Sequence, residues 1–437
     1  MTARREWQKM KWYKLLLKLL VLLMSGIVIG FLLMLSVYAL PVEPMAKHVQ
    51  ASVPAMNGMW AYEDMNEQLL PGYQSMQLDN TTDSSMLIVA AYQGDEPLVE
   101  RATECYRYVN HENAYQTFLT YGETGPEEME RRPIARYWHG YLLFLKPLLL
   151  FLSYIDIRMV LVFVEGSMMA AVIAGLTKQK LGRLIPSFLL SLVIINPVAT
   201  GFSMQFSTVF GTLLVAILAL LYLPERCFQR DGLLLFFLTV GMTTSFIDYL
   251  TYPVASFGMP MILCLYRFPV KTSGEEWKRF FLCGFCWVLG YFGMWAGKWI
   301  IAGLFGNEQW FWANLFAKIS ERSSAISGEV TLSYLDVLKA VLSIFVKRAY
   351  LLLGLLVVAA WGIALIRGIS GKLAPRRKPW ARQSVLWMLA CLPFAWFWVT
   401  KNHTFNHAYF TSRALCVTVF SLSAWLMDFV RSRKIRQ

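Results

Sequence analysis

Apolar runs close to the length of a bilayer crossing recur from one end of this chain to the other, and nothing constrains its fold more. Residues 15–38, 351–365 and 415–430 are examples. A hydrocarbon core takes about 20 mostly apolar residues per helix. Within lipid the backbone must satisfy its own hydrogen bonds, so such runs read as helices. With 57% hydrophobic and only 16% charged residues, the chain has too little polar surface to stay dispersed as a soluble globule. The expected fold class is an all-α polytopic membrane protein. Residues 1–437 read as a single integral membrane domain, because no linker, internal repeat or low-complexity segment divides them.

We expect about ten transmembrane helices. They fall at 15–38, 156–176, 184–200, 202–223, 233–250, 252–267, 280–304, 349–366, 384–400 and 412–430. Pro197 and Pro253 should break helices near their ends. The net charge of +13 would suit nucleic acid, but lysine and arginine gather beside the apolar runs. No nucleic-acid partner is therefore expected. With an even number of spans the basic segments share one side. These are Arg4 to Lys14, Lys178 to Arg183, Arg226 and Arg230, Arg267 to Arg279, Arg367 to Arg382, and the tail from Arg431. Short positive loops face the cytoplasm, which places both termini inside a plasma membrane. The first run is long for a signal peptide and Ala39-Leu40-Pro41 is a poor cleavage site, so it reads as an uncleaved anchor.

The outer face then carries two long loops, residues 40–139 and 305–348. They hold Trp60, Tyr62, Trp310 and Trp312, and long loops often carry function. Residues 141–154 are too short to span; they read either as an interfacial helix or as an extended start to the second span. Cys105 is the one outer cysteine, so no outer intramolecular disulfide is expected. Cys283 and Cys286 lie inside an apolar run and read as packing. There is no phosphate-binding loop, dinucleotide fingerprint, HExxH or GxSxG motif, so a nucleotide-driven enzyme is not expected.

By this topology His48, His111, His139, His403 and His407 all lie outside. So do Asp83, Arg136, Asp156, Arg158, Gln205, Asp248, Lys401 and Arg413 at the span ends. That bias points to a site at the outer membrane–water boundary. Around Asp83, one reading has Asp79 or Thr82 capping a helix. The other makes Asp83 a carboxylate that deprotonates a hydroxyl or binds a metal. Residues 136–140 (Arg-Tyr-Trp-His-Gly) suit either an interfacial aromatic belt or a sugar stacked beside a phosphate. Asp248, beside Tyr249, is either paired with Lys298 or Arg413 or a second site carboxylate. Residues 401–413 read as a solvated turn or as a cationic nest for phosphate built from Lys401, His403, His407 and Arg413. His403 and His407 would share a helical face, but no third and fourth metal ligand accompanies them. Asn80 and Asn402 begin N-glycosylation sequons.

The long first outer loop with its carboxylate, the short apolar helix, the outward polar site and the second long loop resemble the GT-C superfamily of integral-membrane glycosyltransferases. The segments 136–140, 248–253 and 402–413 are also similar to those of uncharacterised bacterial multi-span proteins. An acidic pair after the first span, common in GT-C members, is approached only by Glu43, and the WWDYG signature is absent. The resemblance implies a sugar moved from a polyprenyl-phosphate donor to a glycan, lipid or protein acceptor on the outer face. It implies that Arg136, His403, His407 and Arg413 hold the donor phosphate. Asp83 would act as general base and Asp248 would orient the reactants. Trp138, His139, Tyr249 and Asn402 would contact sugar or acceptor, membrane lipids would surround the donor chain, and the 305–348 loop would close over the site. Such a reaction leaves room for a divalent cation and needs no nucleotide. Two other classes are a lipid-linked sugar transporter or flippase, and a polysaccharide polymerase or ligase. A transporter should place ionisable groups mid-membrane beside broken helices, with Glu165 and Lys298 as candidates.

Overall fold

A computed structural model describes residues 12–59, 77–270, 272–306, 311–327, 330–346, 348–369 and 380–428. Trp60, Tyr62 and Trp310 lie outside the described residues, as do the basic residues of 4–11, 372–378 and 431–436. Helix α1 (Trp12–Tyr38) turns at Pro41 into α2 (Val42–Asn57). The described part of the first long loop is folded into helices and a short hairpin. It contains α3 (Asn80–Ala90), α4 (Leu98–Glu104) and α5 (Ala114–Thr124). Strands β1 (Arg107–Val109) and β2 (Glu130–Arg132) pair antiparallel, with Tyr108 opposite Arg131.

Helix α6 (Leu142–Leu149) is separate from α7 (Tyr154–Lys178). The cause is a capping box: the Ser153 hydroxyl donates to Asp156 at 2.6 Å and starts α7 afresh. Residues 141–154 are thus a short helix of their own and not the start of the next span. Three helices follow, α8 (Ile185–Ile195), α9 (Pro197–Gly201) and α10 (Met204–Tyr222). The expected single span at 184–200 is therefore broken. Pro197 disfavours helical geometry in the residue before it, and Asn196 sits there with φ of 55°.

The remaining elements are α11 (Gly232–Ile247), α12 (Val254–Arg267), α13 (Ser273–Phe305), α14 (Phe311–Ser323), β3 (Ile326–Ser327), β4 (Val330–Thr331), α15 (Tyr334–Ser343), α16 (Arg348–Ile369), α17 (Trp380–Val399), α18 (Lys401–Asn406), α19 (Ala408–Thr411) and α20 (Cys416–Met427). Every residue of α12 from Val254 to Tyr266 is buried, as expected of a helix apolar all round. Helices α11 and α13 pack closely because glycines face each other's backbone. A Cβ on Gly241 would lie 2.2 Å from the Trp287 carbonyl, and one on Gly290 2.2 Å from that of Leu238.

The protein is all-α in its main architecture and carries helices suited to a membrane. Among the described residues five helical stretches are long and apolar enough to cross: α1, α7, α10, α13 and Ala408–Met427. Five shorter apolar helices occupy the other predicted spans. Helix α1 buries Leu15, Leu19 and Leu23 yet exposes Leu16, Leu17, Leu20 and Val21, which suits a surface facing lipid.

Candidate functional site

Seven separate stretches of sequence meet around a cavity of about 240 Å³. The N-terminus of α3 supplies Asp79, Thr81, Thr82 and Ser85, and β1 supplies Arg107. Arg136 and Tyr137 come from the segment before α6, and Gln205 and Tyr249 from the ends of α10 and α11. Arg322, on the last turn of α14, closes one side, with His403 and His407 beside it.

Local sequence explains the placement. Gly140 donates to the Phe246 carbonyl at 2.9 Å, and a Cβ there would lie 2.4 Å from the same oxygen. Only glycine lets the 136–140 segment approach the end of α11 that closely. The Trp299 indole then donates to the Arg136 carbonyl at 3.2 Å. Arg107 is carried by β1 and donates to the Ser85 hydroxyl at 2.8 Å. The β1–β2 pairing sets Arg107 opposite Arg132.

Three arginines and two carboxylates, Asp79 and Glu112, line this cavity, so positive charge is in excess. Arg107, Arg136 and Arg322 all line it, and none lies within 4.0 Å of a carboxylate among the described residues. The buried Nε atoms of Arg107 and Arg136 have no protein partner there either. Tyr137 lies beneath two of the guanidinium groups, Arg136 at 5.4 Å and Arg322 at 5.8 Å from its ring centre. The histidines add no charge at neutral pH. The His403 Nε2–H donates to the Leu250 carbonyl at 2.8 Å, while Arg322 donates to Nδ1 at 3.3 Å. Only the neutral ring can do both. Burial holds His403 well below its usual range, helped by Arg322 and His407. Burial and then Arg322 lower His407 to about 4.

The structure brings Arg136, Tyr249, His403 and His407 together at this cavity. Asp83, Asp248 and Arg413 do not line the cavity. Asp83 is fully buried and accepts hydrogen bonds from Tyr154 Oη (2.7 Å), Ser203 Oγ (3.2 Å) and Gln205 N (3.1 Å). Arg158 stands 3.6 Å away and donates to Asn80 at 2.7 Å. Burial raises Asp83 to about 6 against the lowering effect of Arg158. This carboxylate joins α3, α7 and the start of α10. The buried Asn80 is consumed in the same node, which closes its sequon to modification.

Asp248 caps the loop after α11, accepting from Thr251 N at 3.1 Å and Thr251 Oγ1 at 2.6 Å. It makes no ion pair with Lys298 or Arg413, since that turn already satisfies its oxygens. Burial raises it to about 6. Arg413 is fully buried, donates to the Ile195 carbonyl at 2.9 Å and lies 4.1 Å from the Phe206 ring centre. A cation there complements the C-terminus of α8.

Trp138 is 1% exposed and donates to Met294 O at 2.7 Å. His139 Nε2–H donates to Ile134 O at 2.9 Å and its Nδ1 accepts from Tyr249 Oη at 2.8 Å. Burial lowers that histidine to about 3. Asn402 donates to Ile326 O. These three position their neighbours and do not face the cavity.

Asp79, Arg107 and Arg322 escaped the reading of the sequence as site residues. Asp79 caps α3, accepting from Thr82 N at 2.9 Å, in line with the capping alternative. It also accepts from the Tyr409 hydroxyl at 2.8 Å, and it lines the cavity. Burial raises its carboxyl, opposed by bonds from Thr82 and Tyr409. The interleaving Tyr106-Arg107-Tyr108 was the available signal for Arg107. Arg322, in Ser320-Glu321-Arg322-Ser323, has no local signal.

Chemically, the cavity suits a multiply charged oxyanion. Guanidinium groups offer bidentate donors to phosphate, and aromatic rings offer a flat apolar wall. No protein-family profile, curated protein or solved structure matches the chain.

Proposed function

We propose that the protein is a membrane glycosyltransferase that takes a sugar from a polyprenyl-phosphate donor on the extracytoplasmic face of the plasma membrane. The observation that carries this reading is the set of three arginines lining one cavity with no carboxylate partner within 4.0 Å. All three arginines are half-buried, and like charges gathered in a partly desolvated space repel one another unless an anion joins them. Three cations left together point to an anion that arrives with the ligand.

In this reading Arg107, Arg136 and Arg322 hold the donor phosphate, with His403 and His407 as neutral neighbours. The acceptor oxygen attacks the anomeric carbon, the bond from that carbon to the phosphate oxygen breaks, and the sugar inverts. The electron pair leaves on the phosphate, where the arginines stabilise it. Asp79 takes the acceptor hydroxyl proton. That role moves to Asp79 because Asp83 has no exposed atom. Asp79 keeps unused acceptor capacity at Oδ1, which holds one hydrogen bond. Tyr137 and Tyr249 offer faces to the sugar. An apolar groove of about 650 Å³ begins at Tyr141, Met204 and Ile247, next to the cavity residues Gln205 and Tyr249, and suits the polyprenyl chain. Ten spans with both termini inside would place this cavity outside.

The test is reconstitution in liposomes with a polyprenyl-phosphate sugar donor. Arg136→Ala and Asp79→Asn should each lower transfer by roughly 100-fold or more without lowering the yield of folded protein. Full transfer by both variants would sink the assignment.

One observation favours the transporter reading. Glu165 is 3% exposed on α7 and accepts from Thr200 Oγ1 at 2.7 Å, beside the break between α8 and α10. Movement of a fluorescent lipid-linked sugar across liposomes, stopped by Glu165→Gln and indifferent to Asp79→Asn, would favour that reading instead.

A further inference from the structure

Helix α14 has three distinct faces. Leu315 and Arg322 point inward; Leu315 is buried against Ala135 and Ala302, and Arg322 reaches His403 and the Tyr137 ring. Trp312, Phe316 and Ile319, spaced four and three residues apart, form a stripe about 75° around the helix from these. All three are exposed, Phe316 to 64%. Ala313, Ser320 and Glu321 form a third face, small and polar.

The apolar stripe does not stand alone. A Cβ on Gly303 would lie 2.7 Å from the Trp312 ring, so the stripe begins against the end of α13. There α13 exposes Ile300, Leu304 and Phe305, the last turns of a helix long and apolar enough to cross a membrane. The exposed surface of α14 therefore continues the lipid-facing surface of α13. A helix with one apolar stripe and one polar face at such an edge lies in the interface plane, its apolar side in the acyl boundary.

We infer that α14 is an amphipathic arm seated in the outer leaflet, and that this seating holds Arg322 in the anion cavity. The occupant of its exposed stripe is the lipid surface. The inference rests on the anion-binding reading of the cavity and adds a dependence on the membrane. Arg322 lies at the C-terminal turn of the arm, while the stripe lies across its first two turns and middle. Lifting the stripe from lipid draws the guanidinium away from His403 and Tyr137.

The experiment uses the full chain in phosphatidylcholine nanodiscs, with inorganic pyrophosphate as probe and calorimetry as readout. Arg322→Ala should weaken binding by roughly tenfold to 100-fold, the loss of one charge-assisted contact. Phe316→Asp, far from the cavity, should weaken it by a similar factor. Ser320→Asp, on the water face, should bind as wild type. Nitroxide labels at positions 316 and 319 should collide with oxygen, and a label at 320 with a water-soluble nickel chelate.

Wild-type binding by Phe316→Asp, with Arg322→Ala weakened, overturns the lipid seating. Wild-type binding by Arg322→Ala, with Arg136→Ala weakened, overturns the role of the arm. If wild-type protein binds no pyrophosphate, the cavity reading fails instead, and the labels alone decide the seating: nickel contact at 316 and 319 overturns it.

Discussion

Two polar clusters lie within a few residues of one another on α3 and have opposite characters. The Asp83 node contains an arginine, a carboxylate, a tyrosine and an asparagine, and its groups bond one another. The cavity starting at Asp79 contains three arginines whose carboxylate partners are absent among the described residues. Both contain the residue types that chemistry at a membrane surface would use. What separates them is the counter-charge: Arg158 has Asp83 at 3.6 Å, while its Nε stays unpaired like those of Arg107 and Arg136. A closed node spends its hydrogen-bonding capacity on the fold, while an open one keeps capacity for something that is not the protein.

The largest expected effect breaks the closed node. Asp83→Ala leaves Arg158 buried without its counter-charge and removes the acceptor for Ser203 and Gln205. Breaking a buried pair from one side costs about 3–5 kcal/mol, so this variant should give little folded protein in detergent, as judged by size-exclusion chromatography. Recovery of a normal yield would show that the node is not structural.

Next comes the open cluster. Arg136→Ala should reduce pyrophosphate affinity by roughly ten- to 100-fold while the midpoint of thermal unfolding stays near that of the wild type. A large fall in the midpoint would move Arg136 into the structural class with Arg158. Asp79→Ala straddles the comparison, because Asp79 both caps α3 and faces the cavity. It should lose about 1 kcal/mol of stability with the cap. Transfer should fall far more than that stability change explains, whereas a purely structural Asp79 would lose the two in proportion.

The smallest effect is on pH dependence. His407 stays neutral in the fold down to about 4, while the unfolded chain takes that proton near 6.5. Between those values the unfolded state binds more protons, so this residue makes stability fall as pH drops from 6.5 to about 4. Asp83 and Asp248 act oppositely: raised to about 6, they hold protons that the unfolded chain releases near 3.8, so their contribution falls as pH rises through that range. His407→Phe should therefore lose less stability on acidification than wild type, read as unfolding midpoint against pH. An unchanged slope would mean His407 is not buried as described.

The cavity was partly legible before the structure. Arg136, His403, His407 and Tyr249 stood out because polar residues beside apolar runs are costly and few. Arg413 and Asp248 stood out for the same reason, yet each is absorbed by backbone groups, Arg413 by Ile195 and Tyr409 and Asp248 by Thr251. Sequence shows that a charged group sits near lipid, but not whether a carbonyl or an amide waits for it. Arg107 on β1 and Arg322 on α14 were missed because they lie in the long segments between apolar runs, where charge is unremarkable until the chain folds them over the same space.

Hydrophobic patterning alone determined that this is a helical protein suited to a membrane, and where its apolar helices fall, because the backbone has one inexpensive way to cross lipid. It also placed the break at Pro197, a local steric effect. Which polar residues pair and which remain open was decided only by tertiary structure. Asp79 and Asp83 are four residues apart on one helix, with nearly identical local surroundings. Asp83 meets Tyr154, Ser203 and Gln205 from distant helices and is closed. Asp79 faces a space bounded by Arg107, Arg136 and Arg322, brought together from three different segments.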